Sequence, residues 1–436
     1  MMKATSESVE NKTEIPTAVV ETSGESFADG SAIEPVSSPT GNQPGLLLWA
    51  DNRPTFAAHL MRKGKIYIPS NVDPTIWAAT TLPTGVENRG PSADLFSETC
   101  QLVTTYVGTS ADEAALLTAW NVTTWFVDVL PNPPTLFIHG GDMNRAMQLL
   151  TLLDCVTRHP LLLGEMTRTA FHSVMAVGPT LLLNQPQMSL QFRAMCCTSN
   201  YRGLVLPDAR GRLVNVVSAK AIFVGNTART RDDGGIHIYL PAGPRGLPSL
   251  DLATQLQIKE RFQPWYLWHR LNHLPEVRQT QNSGGSTWQL GGVLQSCTQN
   301  NSQLKLRWSP LLRMQEQDAL ADRYWDPLPA MIEVLWPRVH SSDQSISMKE
   351  LTGLTNTLLR SRGENREYSP EELGIKLGNE GVLRSRRNSG MFVMLDRQTS
   401  RRLHQLAGNL GVGKRVSRCR HCKELWSASK KSLQGV

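Results

Sequence analysis

Residues 135–153, "TLFIHGGDMNRAMQLLTLL", decide how this chain is read. Thr135 to His139 is a short apolar run, Gly140 and Gly141 close it, and an apolar helical pattern follows. The pattern predicts strand, glycine turn, helix. A helix N-terminus behind a glycine turn offers unpaired N–H groups and the positive end of the helix dipole, the physical basis of phosphate binding. A lysine to meet the phosphates is missing from its usual place.

Around this stretch the same alternation repeats. "PLLLGE", "PTLLLNQP", "AKAIFVGN" and "GIHIYLP" are short apolar runs punctuated by Pro, Gly and Asn. Helical patterns separate the first three: "TRTAFHSVMAV", and Ser189 to about Thr198. Such alternation predicts βαβ units and a parallel sheet buried on both faces, an α/β fold. Upstream, "TSADEAALLTAWNVTTWFVDVL" opens with Ser110 and Glu113 at capping-box spacing. Asn121, three threonines and Asp128 interrupt its apolar run, so it reads as a buried core helix. "VLPNPPT" ends it. After Pro248 the pattern is helical to about Trp336, apart from the polar insertion "QTQNSGGSTWQLGGVLQSCTQNNSQ", and these helices are expected to form a lid. "GLLLWA" and "KIYIP" predict strands in an N-terminal segment, 46–100.

The chain has 436 residues, 40% of them hydrophobic, enough for two or three domains with a sizeable core. It has no run of about 18 apolar residues and no basic-then-apolar leader, so no membrane partner is expected. Seven cysteines, an odd number spread over a long chain, are no disulfide framework. A reducing, cytoplasmic setting follows as the expectation. Residues 1–45 hold seven acidic and two basic residues and almost no aromatics, which predicts a disordered acidic tail. Residues 360–420 hold fourteen Lys/Arg against six Asp/Glu. That local excess points to nucleic acid, with a solvated charged surface as the alternative.

A working phosphate loop is G-x-x-x-x-G-K-[ST] between strand and helix. Aligned without gaps, Gly140 takes the first glycine. Arg145 stands at the second glycine, Ala146 at the lysine and Met147 at the hydroxyl residue. A strand ending in two acids should follow, to hold Mg²⁺ and to orient water. Here "TLLLNQP" ends in Asn184 and Gln185, neutral isosteres that add no charge for the metal and accept no proton.

The frame resembles the P-loop ATPase family, in particular the additional-strand AAA+-like core of bacterial and phage primase-helicases, over roughly residues 100–275. The resemblance implies a sensor position at Asn226, and Arg229 and Arg231 follow where a trigger arginine would stand. It also implies replication or mobile-element proteins as partners. With Lys, Ser/Thr, Asp and Glu all replaced, no hydrolysis and no required cofactor are expected. ATP binding without turnover stays open: Gly140, Gly141 and the helix N-terminus would form an anion nest, with Arg145 as substitute cation. The alternatives are an NTPase with unorthodox motifs in a primase-helicase, or a protein-interaction scaffold without nucleic acid; for the fold, the alternative is a parallel sheet unrelated to P-loops. His139 reads as a strand-end histidine, and Glu165 as a weak candidate for the same crevice.

The last part predicts two helices, a basic hairpin and a third helix. "SMKELTGLTNTLLRS" has helical spacing. In "YSPEELGIKLGNEGV", Ser369 caps, Pro370 takes the first helical position and Glu372 completes a capping box. "LRSRRNSGMFVML" supplies a hairpin, and "DRQTSRRLHQLAGNLGV" the last helix. This order resembles a winged helix-turn-helix domain, residues 343–415, after a core spanning 101–340. Arg384, Arg386 and Arg387 on the hairpin, with Arg401 and Arg402, would meet DNA phosphates. A protein-interaction module is the alternative. In the basic tail, 416–436, Cys419-x-x-Cys422 is half a zinc site without a second pair at suitable spacing, so no metal is expected.

Overall fold

The computed structural model describes residues 18–38, 44–207, 213–225, 235–240, 243, 246–275, 286–324, 326–388, 390–413 and 416–423. Strands begin earlier than composition predicts. β1 (Ala18–Thr22), β2 (Glu25–Ser26) and β3 (Ala32–Val36) lie in the stretch expected to be disordered, and β3 is buried along its whole length. β4 (Gly45–Ala50) and β5 (Arg53–Ala57) continue an antiparallel sheet in the order β2-β3-β4-β5. β6 (Leu60–Arg62) and β7 (Lys65–Pro69) form a second sheet, β1-β7-β6. Asp51 and Asn52 both adopt positive φ between β4 and β5, which matches the twist of a two-residue hairpin. Within residues 18–38 the expectation of disorder fails because an average over 45 residues hides "AIEPV"; residues 1–17 and 39–43 of that stretch lie outside the described residues. That run inserts Ile33 and Val36 into apolar clusters, and distant partners neutralise its one charge, Glu34.

α1 (Pro74–Ala79), α2 (Ser92–Val107) and α3 (Ala111–Thr124) follow. α3 has the predicted capping box between Ser110 and Glu113, and every residue from Ala114 to Thr124 is buried. The α/β alternation then runs β8 (Thr135–His139), α4 (Met143–Val156), β9 (Pro160–Leu163), α5 (Arg168–Val174), β10 (Thr180–Asn184) and α6 (Leu190–Thr198). A small antiparallel pair, β11 (Val205–Pro207) and β12 (Leu213–Asn215), precedes β13 (Lys220–Gly225) and β14 (Ile236–Tyr239). β14-β8-β13-β10-β9 form one sheet, parallel throughout. β13 is inserted between β8, which ends at the glycine turn, and β10, which ends at Asn184. Successive residues alternate between two cores, as pleating requires. Leu136, Ile138, Leu182 and Ala221 pack with residues of α2, α3, α4 and α7, while Phe137, Leu181, Leu183 and Ile222 pack with Phe171 and Phe192.

α7 (Leu252–Asn272), α8 (Ser286–Cys297) and α9 (Ser302–Tyr324) are the helices expected to form a lid. Phe262, Trp265, Leu294, Trp308 and Leu312 belong to the same buried cluster as Leu136 and Leu182. Their apolar faces need that cover.

The chain divides into two units, Met1–Gln315 and Glu316–Val436. In the second unit, α10 (Pro327–Val339) precedes β15 (Ser345–Ser347), α11 (Met348–Ser361), α12 (Pro370–Asn379), β16 (Arg384–Arg387), β17 (Gly390–Met394) and α13 (Arg397–Leu410). The strands form an antiparallel sheet in the order β15-β17-β16. α10 was expected in the core domain, ending near 340. Instead Met331, Ile332, Leu335 and Trp336 pack with Leu351, Leu373 and Leu403 of the second unit. The polar run "RVHSSDQS", residues 338–345, reads as a linker and so puts the expected boundary after α10 rather than before it. No helix among the described residues is long and apolar enough to cross a membrane.

Candidate functional site

The glycine turn sits at the carboxyl edge of the parallel sheet, the edge that also holds Asn184. Gly140 has φ +146°, and a Cβ there would lie 2.2 Å from the Leu240 carbonyl oxygen. Its N–H donates to the Gly225 carbonyl at 3.1 Å. Gly140 is therefore required by the close passage of the Leu240 backbone. α4 starts at Met143, so Arg145, Ala146 and Met147 are already helical. Asp142 caps the helix: its carboxylate accepts from the Arg145 N–H, and its carbonyl from the Ala146 N–H. An anion of the chain itself thus stands where a phosphate would.

Arg145, expected as a substitute cation, is engaged by carbonyls of the chain itself. Its side chain is buried. Nε donates to the Val107 carbonyl at 2.7 Å, and Nη2 to the Gly108 carbonyl at 2.8 Å. It satisfies the last carbonyls of α2, where Gly108 takes the left-handed position that ends the helix. Gly141 is exposed at the turn. His139 is buried, with Nε2 2.9 Å from His237 Nδ1, and Glu165 is exposed.

At the end of β10, the Gln185 side chain is buried and accepts the Met166 N–H at 3.1 Å. The buried Oδ1 of Asn184 has no hydrogen-bond partner among the described residues. Asn226, Arg229 and Arg231 lie outside the described residues. The structure therefore brings Gly140, Gly141 and Asn184 to one edge and engages Arg145 and Gln185 elsewhere.

In the second unit, Arg384, Arg386 and Arg387 are all exposed on β16, an edge strand of its sheet. Arg387 pairs with Gly390 across the hairpin, and its guanidinium lies 5.4 Å from the Phe392 ring centroid. The Arg384 guanidinium lies along α12 in space left by Gly374 and Gly378, where a Cβ on Gly374 would come within 2.4 Å of it. Arg401 is exposed on α13. Arg402 differs: Nε donates to the Glu380 carbonyl at 2.7 Å, just past the end of α12. α12 has the predicted cap at Ser369, and its exposed side starts with Glu371 and Glu372.

The tail expected to trail from the fold is partly built into it. Residues 420–423 are helical, and Cys422 is fully buried with Trp336 and Val416 as neighbours. Cys419 and Cys422 converge with His340 and His404, four ligand atoms all within 4.8 Å of one another. The histidines carried no signal in the sequence, since 63 residues separate them and neither lies in a recognisable motif. No disulfide joins any of the seven cysteines.

No protein-family model and no curated protein matches the chain. Solved structures similar to it include a full-length MCM homolog from Methanopyrus kandleri, at 8% identity and a TM-score of 0.34, covering 64% of this chain and 77% of that one. The apo C-terminal region of NrS-1 is similar at 11% identity and a TM-score of 0.34, covering 83% of this chain and 95% of that one.

Proposed function

We propose that this protein is a DNA-associated accessory factor that does not hydrolyse nucleotide. The observation that carries this reading is the exposed row Arg384, Arg386 and Arg387 on an edge strand and hairpin, with Arg401 exposed on α13. Charged side chains on such a hairpin fit phosphates without reading bases. The order of helices and strands in the second unit supports a winged-helix reading. In the first unit, the insertion of β13 between β8 and β10 is what an additional-strand core demands, and supports kinship with P-loop ATPases. The engagement of Arg145, Asp142 and Gln185 by the chain's own groups supports a core kept as scaffold.

The test is binding of the full chain to duplex DNA as salt is raised from about 50 mM. Each phosphate contact adds about one unit to the slope of log affinity against log salt. Replacing Arg384, Arg386 and Arg387 with alanine should flatten the slope by about two to three units with the fold intact. An unchanged slope, or no binding at low salt, would favour a protein-interaction module. The exposed Glu371, Glu372 and Ile375 on α12 favour that second reading, because acidic groups repel phosphate.

A further inference from the structure

We infer that His340, His404, Cys419 and Cys422 form a structural zinc site, which fastens the segment 416–423 onto the second unit. His340 caps the C-terminus of α10, His404 lies within α13, Cys419 directly precedes the short helical turn 420–423, and Cys422 lies within it. His340 Nε2 is 3.1 Å from His404 Nε2, Cys419 Sγ is 3.2 Å from His404 Nε2, and Cys422 Sγ is 3.3 Å from His340 Nε2. A tetrahedral zinc ion with bonds of about 2.0–2.1 Å to nitrogen and about 2.3 Å to sulfur sets its ligand atoms about 3.3–3.8 Å apart. The four atoms need only small movements to reach that geometry.

The proton positions point the same way. His340 Nδ1 is 2.8 Å from the Trp336 carbonyl oxygen, and His404 Nδ1 is 2.7 Å from the Ser400 carbonyl oxygen. A carbonyl only accepts, so each Nδ1 carries the proton. In the neutral rings both Nε2 atoms then present lone pairs, and these face each other at 3.1 Å. Two lone pairs at that distance repel unless a proton or a metal ion lies between them. A histidine held this way, its other nitrogen donating to a carbonyl, is also oriented as metal ligands usually are.

The donor set selects the ion. Two thiolates and two imidazoles suit zinc, and their two negative charges neutralise it. Binding as thiolates releases the two thiol protons to solvent. Four protein ligands leave no open position, and Cys422 and His404 are buried, so the role is structural.

The full chain, purified under reducing conditions with zinc in the medium, should carry one zinc per chain by elemental analysis. Cobalt(II) added to metal-stripped protein should give the visible ligand-field bands of a tetrahedral site together with thiolate charge-transfer absorption. Cys419→Ser and His340→Gln should abolish both signals, while His421→Ala, between the two cysteines, should keep them. A strong chelator should lower the melting temperature of the native chain but not that of Cys419→Ser. Circular dichroism reports whether each variant folds, and the cobalt spectrum of the unaltered chain decides the matter if one does not. Zinc far below one per chain with no cobalt bands, or bands that survive Cys419→Ser, would overturn the site.

Discussion

Glu34 Oε1 accepts a hydrogen bond from Arg158 Nε at 2.5 Å in a pocket where both side chains are almost fully excluded from solvent. Arg270 Nε reaches the other carboxylate oxygen at 3.2 Å, and its Nη1 pairs with Asp128 at 2.6 Å. Two acids and two arginines thus neutralise one another inside the first unit, joining β3, the end of α3, the approach to β9 and α7. Gly24 closes over them, since a Cβ there would lie 2.1 Å from Arg158 Nη2. Burial alone would raise the Glu34 carboxyl pKa, but Arg158, Arg270 and His159 outweigh it and hold the group well below the usual carboxylate range.

Removing one partner of this network strands the others. Glu34→Gln should cost about 3–5 kcal/mol of stability, because two buried guanidinium groups lose their shared counter-charge. Urea unfolding of the full chain measures it. A loss below about 1 kcal/mol would mean that β3 is held by its apolar residues alone.

His269 predicts the response to acid. It is buried beside Ser92, with Nδ1 2.8 Å from Oγ, and burial, with His273 close by, pushes its pKa down to about 3. The unfolded chain takes up this proton near pH 6.5, whereas the folded chain resists until about pH 3. Stability should therefore fall as pH drops through that interval, by at most about 1.4 kcal/mol per pH unit from this group. Glu34 adds no loss until the pH falls below its unfolded value of 4.5, because its folded pKa is depressed. Urea midpoints between pH 7 and 5 should decline in the native chain and decline less steeply in His269→Gln, where His159, His273 and His404, also lowered by burial, still contribute. Parallel profiles would remove His269 as the cause.

No ATP or GTP turnover above background is expected with Mg²⁺, with or without DNA. Restoring the motif should not change this. Ala146, at the lysine position, is fully buried in the main core, so Ala146→Lys buries a charge and should destabilise the fold. Turnover gained by Ala146→Lys with Met147→Thr, Asn184→Asp and Gln185→Glu would show that the turn can open into a phosphate loop.

Arg145→Ala should lower stability by about 1.5–3 kcal/mol through the two lost carbonyl contacts. It should leave any weak nucleotide affinity where it was. Calorimetric titration with ATP separates the outcomes: a loss of affinity with unchanged stability would restore Arg145 to the phosphate site.

Arg401 and Arg402 are neighbours with different expected roles. Arg401→Ala should remove about one unit of the salt slope of DNA binding. Arg402→Ala should weaken the end of α12 and shift the melting temperature, leaving that slope nearly unchanged. Equal effects on the slope would place both on the same DNA-facing surface.

Local pattern made much of this protein legible. The capping boxes at Ser110 and Ser369, the apolar strands between Pro, Gly and Asn, and the basic run at 384–387 are short-range signals. Each depends on residues within one element, where period and end-capping chemistry act directly. The parallel sheet follows from that alternation, because helices between the strands leave no room for hairpins. The pairings were a matter for the tertiary structure. Glu34 finds Arg158 and Arg270 across 124 and 236 residues, and His340 and His404 meet Cys419 and Cys422 from separate elements. Arg145 occupies the predicted helix, yet its guanidinium turns to the end of α2. A side chain's role is set by which neighbour its polar atoms reach once water is excluded, and sequence spacing carries no record of that choice.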